Sequence, residues 1–271
     1  MNATTAAHRY PTQSRRSDMG VARINREIAA INLNRERSAI IPVCSATKDE
    51  WREYLNSEDQ RFKSKFMEWI GGIIYIVEIP SLEQQRFSHS FEFVLARPPA
   101  FVRYMALNGS AVVPNYPELP DFQADNSYGP RTVVGTPLPR GVQDYWTWFS
   151  LVVEVGHLRG WGNDLGSLDW KARGWARIPG VRFILCVAVT DDLASAEYKL
   201  YTVQRDAQDR VRPLPHLVPV PVVGPHTVVS FDSRELLGLP PGANIPPIEN
   251  TQFPDPTVDV DLFNVLTRAR Q

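Results

Sequence analysis

Cysteine is scarce: Cys44 and Cys186 are the only two in 271 residues. So few thiols exclude a disulfide-stapled scaffold and any zinc site assembled from cysteine pairs. An excess of one charge is missing too, since 29 Lys and Arg face 30 Asp and Glu for a formal net charge of -1. That balance excludes a protein that coats nucleic acid nonspecifically. Long apolar runs are absent. The longest, Phe183 to Val189, is far below the roughly 18 residues a membrane span needs, and residues 1 to 37 hold no apolar segment of a secretory signal. These absences predict an intracellular protein, cytoplasmic or nuclear, that is not secreted and has no membrane partner. There is also no Gly-rich phosphate loop, no Gly-x-Ser-x-Gly elbow and no plausible Cys/His nucleophile pair, which removes three common catalytic designs.

What is present can fold. Hydrophobic residues make up 43% of the chain and include seven Trp, enough to bury a real core in one large or two small domains. Residues 1 to 45 carry seven Arg against three acids and read as a basic, partly disordered arm, either a solvated tail or an auxiliary phosphate-binding segment. Val21, Ile24, Ile28 and Ile31 fit a short helix within it. Thr47 to Glu50 has capping-box form, predicting a helix from Lys48 to about Leu55. Gly71-Gly72 between two apolar runs predicts a hairpin over 66 to 79. Helices are expected at 83 to 96 and at 164 to 177, and strands at 148 to 155, 181 to 189 and 198 to 204. Eleven of the 23 prolines lie in residues 212 to 256, so only an edge strand at 227 to 231 and a helical turn at 233 to 237 are expected there. Residues 241 to 271 read as a Pro-rich tail with a short terminal helix.

Glu154 is the most informative residue. A carboxylate inside Leu151-Val-Val-Glu-Val155 costs several kcal/mol of desolvation unless it is paired or binds a cation. Lys171, three residues after Leu168 and four before Trp175 on the following helix, would point its ammonium at the strand. The pair is either a structural ion pair or a site where Glu154 binds a hard cation and Lys171 holds the attacking water or the phosphate. Two further acids bear on the choice. Asp125, among turn residues, is either an Asx-turn or a second ligand; Glu68, just before the Gly-Gly turn, is either an exposed strand charge or part of the site. His157 and His89 read as surface histidines, and Trp161 either packs or stacks on a base.

Taken in order, these segments resemble a family. Phe66-Met-Glu-Trp-Ile-Gly-Gly-Ile-Ile-Tyr, Ala124-Asp125-Asn-Ser-Tyr-Gly-Pro130, Leu151-Val-Val-Glu154-Val-Gly and Lys171-Ala-Arg-Gly-Trp175, running on into Gly180-Val-Arg-Phe-Ile-Leu, are similar to successive motifs of the Uma2-like restriction endonuclease family of the PD-(D/E)XK nuclease superfamily. The likeness is closest to its divergent fungal relatives and covers roughly residues 47 to 240. It implies an α/β fold with a restriction-endonuclease-like core, a mixed central β-sheet flanked by helices, in a nuclease-like domain over residues 46 to 240. It further implies that Asp125, Glu154 and the backbone carbonyl of Val155 bind Mg²⁺ or Mn²⁺, that Lys171 orients the nucleophilic water, and that Glu68 joins the catalytic set. The expected activity is metal-dependent hydrolysis of DNA phosphodiester bonds. The expected partner is DNA, bound weakly without the metal and the basic arm, by a monomer or a homodimer. A catalytically inactive nuclease-fold module binding nucleic acid or protein is the alternative; an interaction protein in which Glu154 and Lys171 are only a buried pair is the third. Positive charge is uneven, gathered in the arm and around Arg159, Lys171, Arg173 and Arg177.

Overall fold

A computed structural model describes residues 13–33, 40–109, 122–157 and 160–271. Of the basic arm, Arg9, Arg35 and Arg37 lie outside these residues, as does Arg159.

Three layers of structure meet around the candidate site. The first is N-terminal: helix α1 (Gln13–Ala30), strand β1 (Ile41–Ser45), helix α2 (Lys48–Leu55) and the hairpin of β2 (Met67–Ile70) and β3 (Ile73–Ile76). α2 carries the full capping box, with the Thr47 side chain accepting from the Glu50 amide and the Glu50 carboxylate accepting from the Thr47 amide, an arrangement worth about 1 kcal/mol. β1, β3 and β2 form an antiparallel sheet. Ile24 and Ile28 of α1 are buried with Trp51, Tyr54, Ile74 and Ile76. A boundary at residue 45 therefore cuts through this layer: the described part of the arm is a packed helix and strand, because its apolar stripe meets an apolar sheet face.

The second layer is a six-stranded mixed sheet in the order β4-β5-β6-β7-β8-β9. β4 (Met105–Gly109), β5 (Asn126–Pro130) and β6 (Leu151–His157) are successively antiparallel. β6 then crosses through helix α5 (Leu168–Ala176) to the parallel neighbour β7 (Phe183–Val189), beyond which lie β8 (Ala196–Thr202) and the short edge β9 (Val220–Pro221). β6 and β7 are buried on both faces, as a central parallel pair should be. Their odd-numbered side chains, among them Val153, Val155, Leu185 and Val187, face one core. Their even-numbered ones, Val152, Ile184 and Cys186, face another under α5.

The third layer covers the first core. Helix α3 (Leu82–Ala96) buries Phe87, Phe91 and Leu95 against the sheet and is followed by α4 (Pro99–Tyr104), with Pro99 in its first turn. Beside α3 packs a C-terminal unit: β10 (Val228–Asp232), the turn α6 (Ser233–Leu236), β11 (Thr257–Asp261) antiparallel to β10, and α7 (Leu262–Ala269). Residues 241 to 271 are thus no appended tail, since Val258, Val260, Leu262, Val265 and Leu266 complete the main core. Prolines shorten the elements there without preventing their burial. α5 starts later than its periodicity predicts: Gly166 sits at φ +79 and Ser167 takes the cap position, so the apolar spacing from Leu165 is not helical before Leu168. No described helix is long and apolar enough to cross a membrane.

Candidate active site

Glu154 occupies the even row of β6, between buried Val152 and the inner face of α5. It is 1% exposed. Two residues one turn apart on that helix hold its two oxygens. The Lys171 ammonium lies 3.2 Å from Oε2, and the Trp175 indole N–H donates to Oε1 at 2.6 Å. Gly174 makes room for Phe122, because a Cβ there would stand 2.0 Å from the ring that packs on Trp175. Spacing alone brought strand carboxylate and helix lysine together, as the i, i+4 relation of Lys171 to Trp175 predicts.

Glu68 joins from the N-terminal layer. Its Oε1 is 3.5 Å from the same Lys171 ammonium and the residue is 2% exposed, so the reading as an exposed strand charge is corrected: the hairpin turns this side chain inward onto α5. Asp125 is not an Asx-turn. Its Oδ2 accepts from the Val155 amide at 2.8 Å and its Oδ1 from Gln84 Nε2 at 3.0 Å. Asp125 therefore hangs on the peptide that follows Glu154. In a strand the N–H and C=O of one residue face the same neighbour, so the Val155 carbonyl points to the Asp125 side as well.

Four residues here were not singled out by sequence. Glu78 is buried, its Oε2 accepting from the other Gln84 amide hydrogen at 3.0 Å and its Oε1 from the His157 amide at 3.2 Å. Glu78 had the same signal as Glu154, an acid within an apolar run. Gln84, Lys65 and Trp175 as a donor had none, being ordinary for a helix start, a polar turn and a core helix. His157 is not a surface residue; its ring is 9% exposed and Nε2 lies 2.9 Å from Asp191 Oδ1. One face of Trp161 is taken: Lys199 sits 4.6 Å over its ring, and its indole N–H donates to Glu197.

The electrostatics of the assembly are lopsided. Glu68, Glu78 and Glu154 supply three buried carboxylates and Asp125 a partly buried fourth, against the buried Lys171 and the half-buried Lys65, whose ammonium is 4.0 Å from Asp125 Oδ1. A divalent cation would balance that excess. Among the described residues no group of three or more His, Cys, Asp or Glu is gathered as a metal-ligand cluster. The donors that fit are Asp125, Glu154 and the Val155 carbonyl, an all-oxygen set with few protein ligands, which suits a hard cation that keeps several waters. Comparison with protein-family models and with curated proteins finds no match for the chain.

Proposed function

We propose that this cluster is the catalytic site of a Mg²⁺- or Mn²⁺-dependent endonuclease that hydrolyses DNA phosphodiester bonds, as the resemblance to the Uma2-like family implies. The observation that carries the reading is a buried acid excess from neighbouring strands closed by one buried lysine of the crossover helix. The order β5, β6, α5, β7 is the strand, strand, helix and strand succession that the resemblance requires.

Asp125, Glu154 and the Val155 carbonyl would hold the cation, which when bound supplies positive charge against the negative charge that builds on the phosphate oxygens. Trp175 and Gln84 fix the two carboxylates by hydrogen bonds, so that little reorganisation is left to binding. Lys171 Nζ has three protons to donate; held between Glu154 and Glu68, it orients the attacking water from the acid side. Glu68 keeps the ammonium in position.

A second reading has one observation in its favour. The oxygens of both Asp125 and Glu154 already accept bonds from protein donors, which suits an inactive nuclease-fold module. Plasmid cleavage in Mg²⁺ or Mn²⁺ separates the two. Nicking lost in both Glu154→Ala and Lys171→Ala supports the nuclease; no nicking by the wild type, with no Mn²⁺ bound in solution, leaves the inactive module.

A further inference from the structure

A groove of about 550 Å³ opens beside the acid cluster, between the end of α2 and the start of the hairpin, lined by Gln60, Lys63, Ser64, Lys65 and Gln123 and with Glu58 as its one acid. Its floor is tied to the site. Ser64 Oγ donates to Gln123 Oε1 at 2.9 Å, two residues before Asp125, and Gln60 Oε1 accepts from the Ser64 amide at 3.0 Å. Lys65 stands where groove and acids meet, its ammonium 4.0 Å from Asp125 and 4.8 Å from the Phe66 ring centroid. Lys63, two residues earlier, is exposed.

We propose that this groove seats the phosphodiester backbone flanking the bond to be cut, with Lys63 and Lys65 as its phosphate contacts and Lys65 as the positioning residue that brings the phosphate to Asp125. The inference rests on the nuclease reading and adds to it the path of the substrate. Three features converge on it. The volume suits one or two nucleotides. The polar floor is held in shape by its own bonds, Gln60 Nε2 donating to the Tyr54 and Leu55 carbonyls and Ser64 Oγ to Gln123, and the two ammonium groups outnumber the single acid. Lys65 also has a reason to be next to Asp125: a cation bound there would displace its ammonium from the carboxylate and leave it to meet a phosphate in the groove. Lys65 and the metal therefore compete for Asp125 and cooperate on phosphate.

The test uses the full chain, with Ca²⁺ in place of Mg²⁺ so that a fluorescent DNA oligonucleotide is bound without being cut, and Mn²⁺ binding is followed by electron paramagnetic resonance. In Lys63→Gln/Lys65→Gln the oligonucleotide affinity should fall about tenfold and the log-log salt slope should shrink by about 2, one per lost phosphate contact. Mn²⁺ affinity in Lys65→Gln should rise about threefold, since a like charge leaves the site. Both positions are at least partly exposed, and an unchanged melting curve will establish that the variants fold. If the wild type binds DNA and Mn²⁺ while the double variant keeps both affinity and slope, the groove is not the substrate path and the nuclease reading survives. If the double variant loses affinity equally for inorganic phosphate and for DNA with no change in slope, the site is for a small anion and the proposal is wrong. If the wild type binds neither DNA nor Mn²⁺, the nuclease reading and the groove fall together.

Discussion

Two buried lysines meet at α5, Lys171 on the helix itself and Lys199 on β8, and the charge around them differs. Lys199 of β8 is 4% exposed and gives bonds of 2.8 and 2.9 Å to both oxygens of Asp169, which also accepts from Tyr201 Oη at 2.6 Å and from the Gly162 amide. One ammonium meets one carboxylate there. Burial pushes the Asp169 carboxyl's pKa up, but the bonds from Lys199, Tyr201 and Gly162 outweigh it and hold the group below the ordinary carboxylate range. Lys171 faces Glu68 and Glu154 at once, in a neighbourhood that also contains Glu78 and Asp125. A balanced, fully bonded cluster fixes the helix and the loop before it. On the proposed reading, the acid-rich surroundings of Lys171 would serve a bound cation rather than stability.

The sharpest way to break this contrast is to remove one acid from each cluster. Glu154→Gln should lower plasmid cleavage by about 10³-fold or more, the several kcal/mol a metal site contributes. Its urea unfolding free energy should move by less than about 1 kcal/mol, because Lys171 retains Glu68. Asp169→Ala should do the reverse, costing about 3 kcal/mol of stability by stripping Lys199 of its carboxylate. Equal destabilisation by the two substitutions would mean that both clusters are scaffold.

Metal addition gives the next largest effect. Mg²⁺ at a hundred times its dissociation constant should stabilise the wild type by about 2.7 kcal/mol, read as a rise in melting temperature. Asp125→Asn should abolish that rise, whereas Asp169→Ala should keep it on a lower baseline. A rise that persists in Asp125→Asn would place the cation elsewhere.

The part of this contrast legible in the sequence was the part written as local pattern. The capping box at Thr47, the Gly71-Gly72 hairpin and the apolar runs of β6 and β7 all lie where their spacing put them. Glu154 and Lys171 could be paired because a carboxylate inside an apolar run has few ways to exist and a helix face has a fixed direction. Glu78 and Gln84 were not legible as a unit, since their bonds to His157 and Asp125 span 79 and 41 residues. Asp169 was equally silent: an acid in a helix's first turn reads as a dipole partner, and only the sheet beyond shows Lys199 and Tyr201 closing on it. In the C-terminal unit the edge strand, the helical turn and the terminal helix stand where the sequence places them, as β10, α6 and α7; their burial is what proline density hides, since it reports how short elements are and not what they pack against.

The smallest effect tests the balanced cluster by pH. Burial, then the bond to Asp169, raises the Tyr201 hydroxyl's pKa above its ordinary value. Folding thus favours the protonated phenol, so the stability this group contributes is complete below the unfolded pKa of about 10 and is lost as pH climbs past it, by at most about 1.4 kcal/mol per pH unit. Tyr201→Phe should cost about 1 kcal/mol at pH 7 through the lost hydrogen bond, and the variant should unfold less steeply with alkali than the wild type in urea titrations at pH 9 to 11. Asp169→Ala should flatten the same limb partly, because one of the two causes of the shift goes with it. A limb unchanged in Tyr201→Phe would assign the alkaline loss to other groups and leave the cluster held by Lys199 and Asp169 alone.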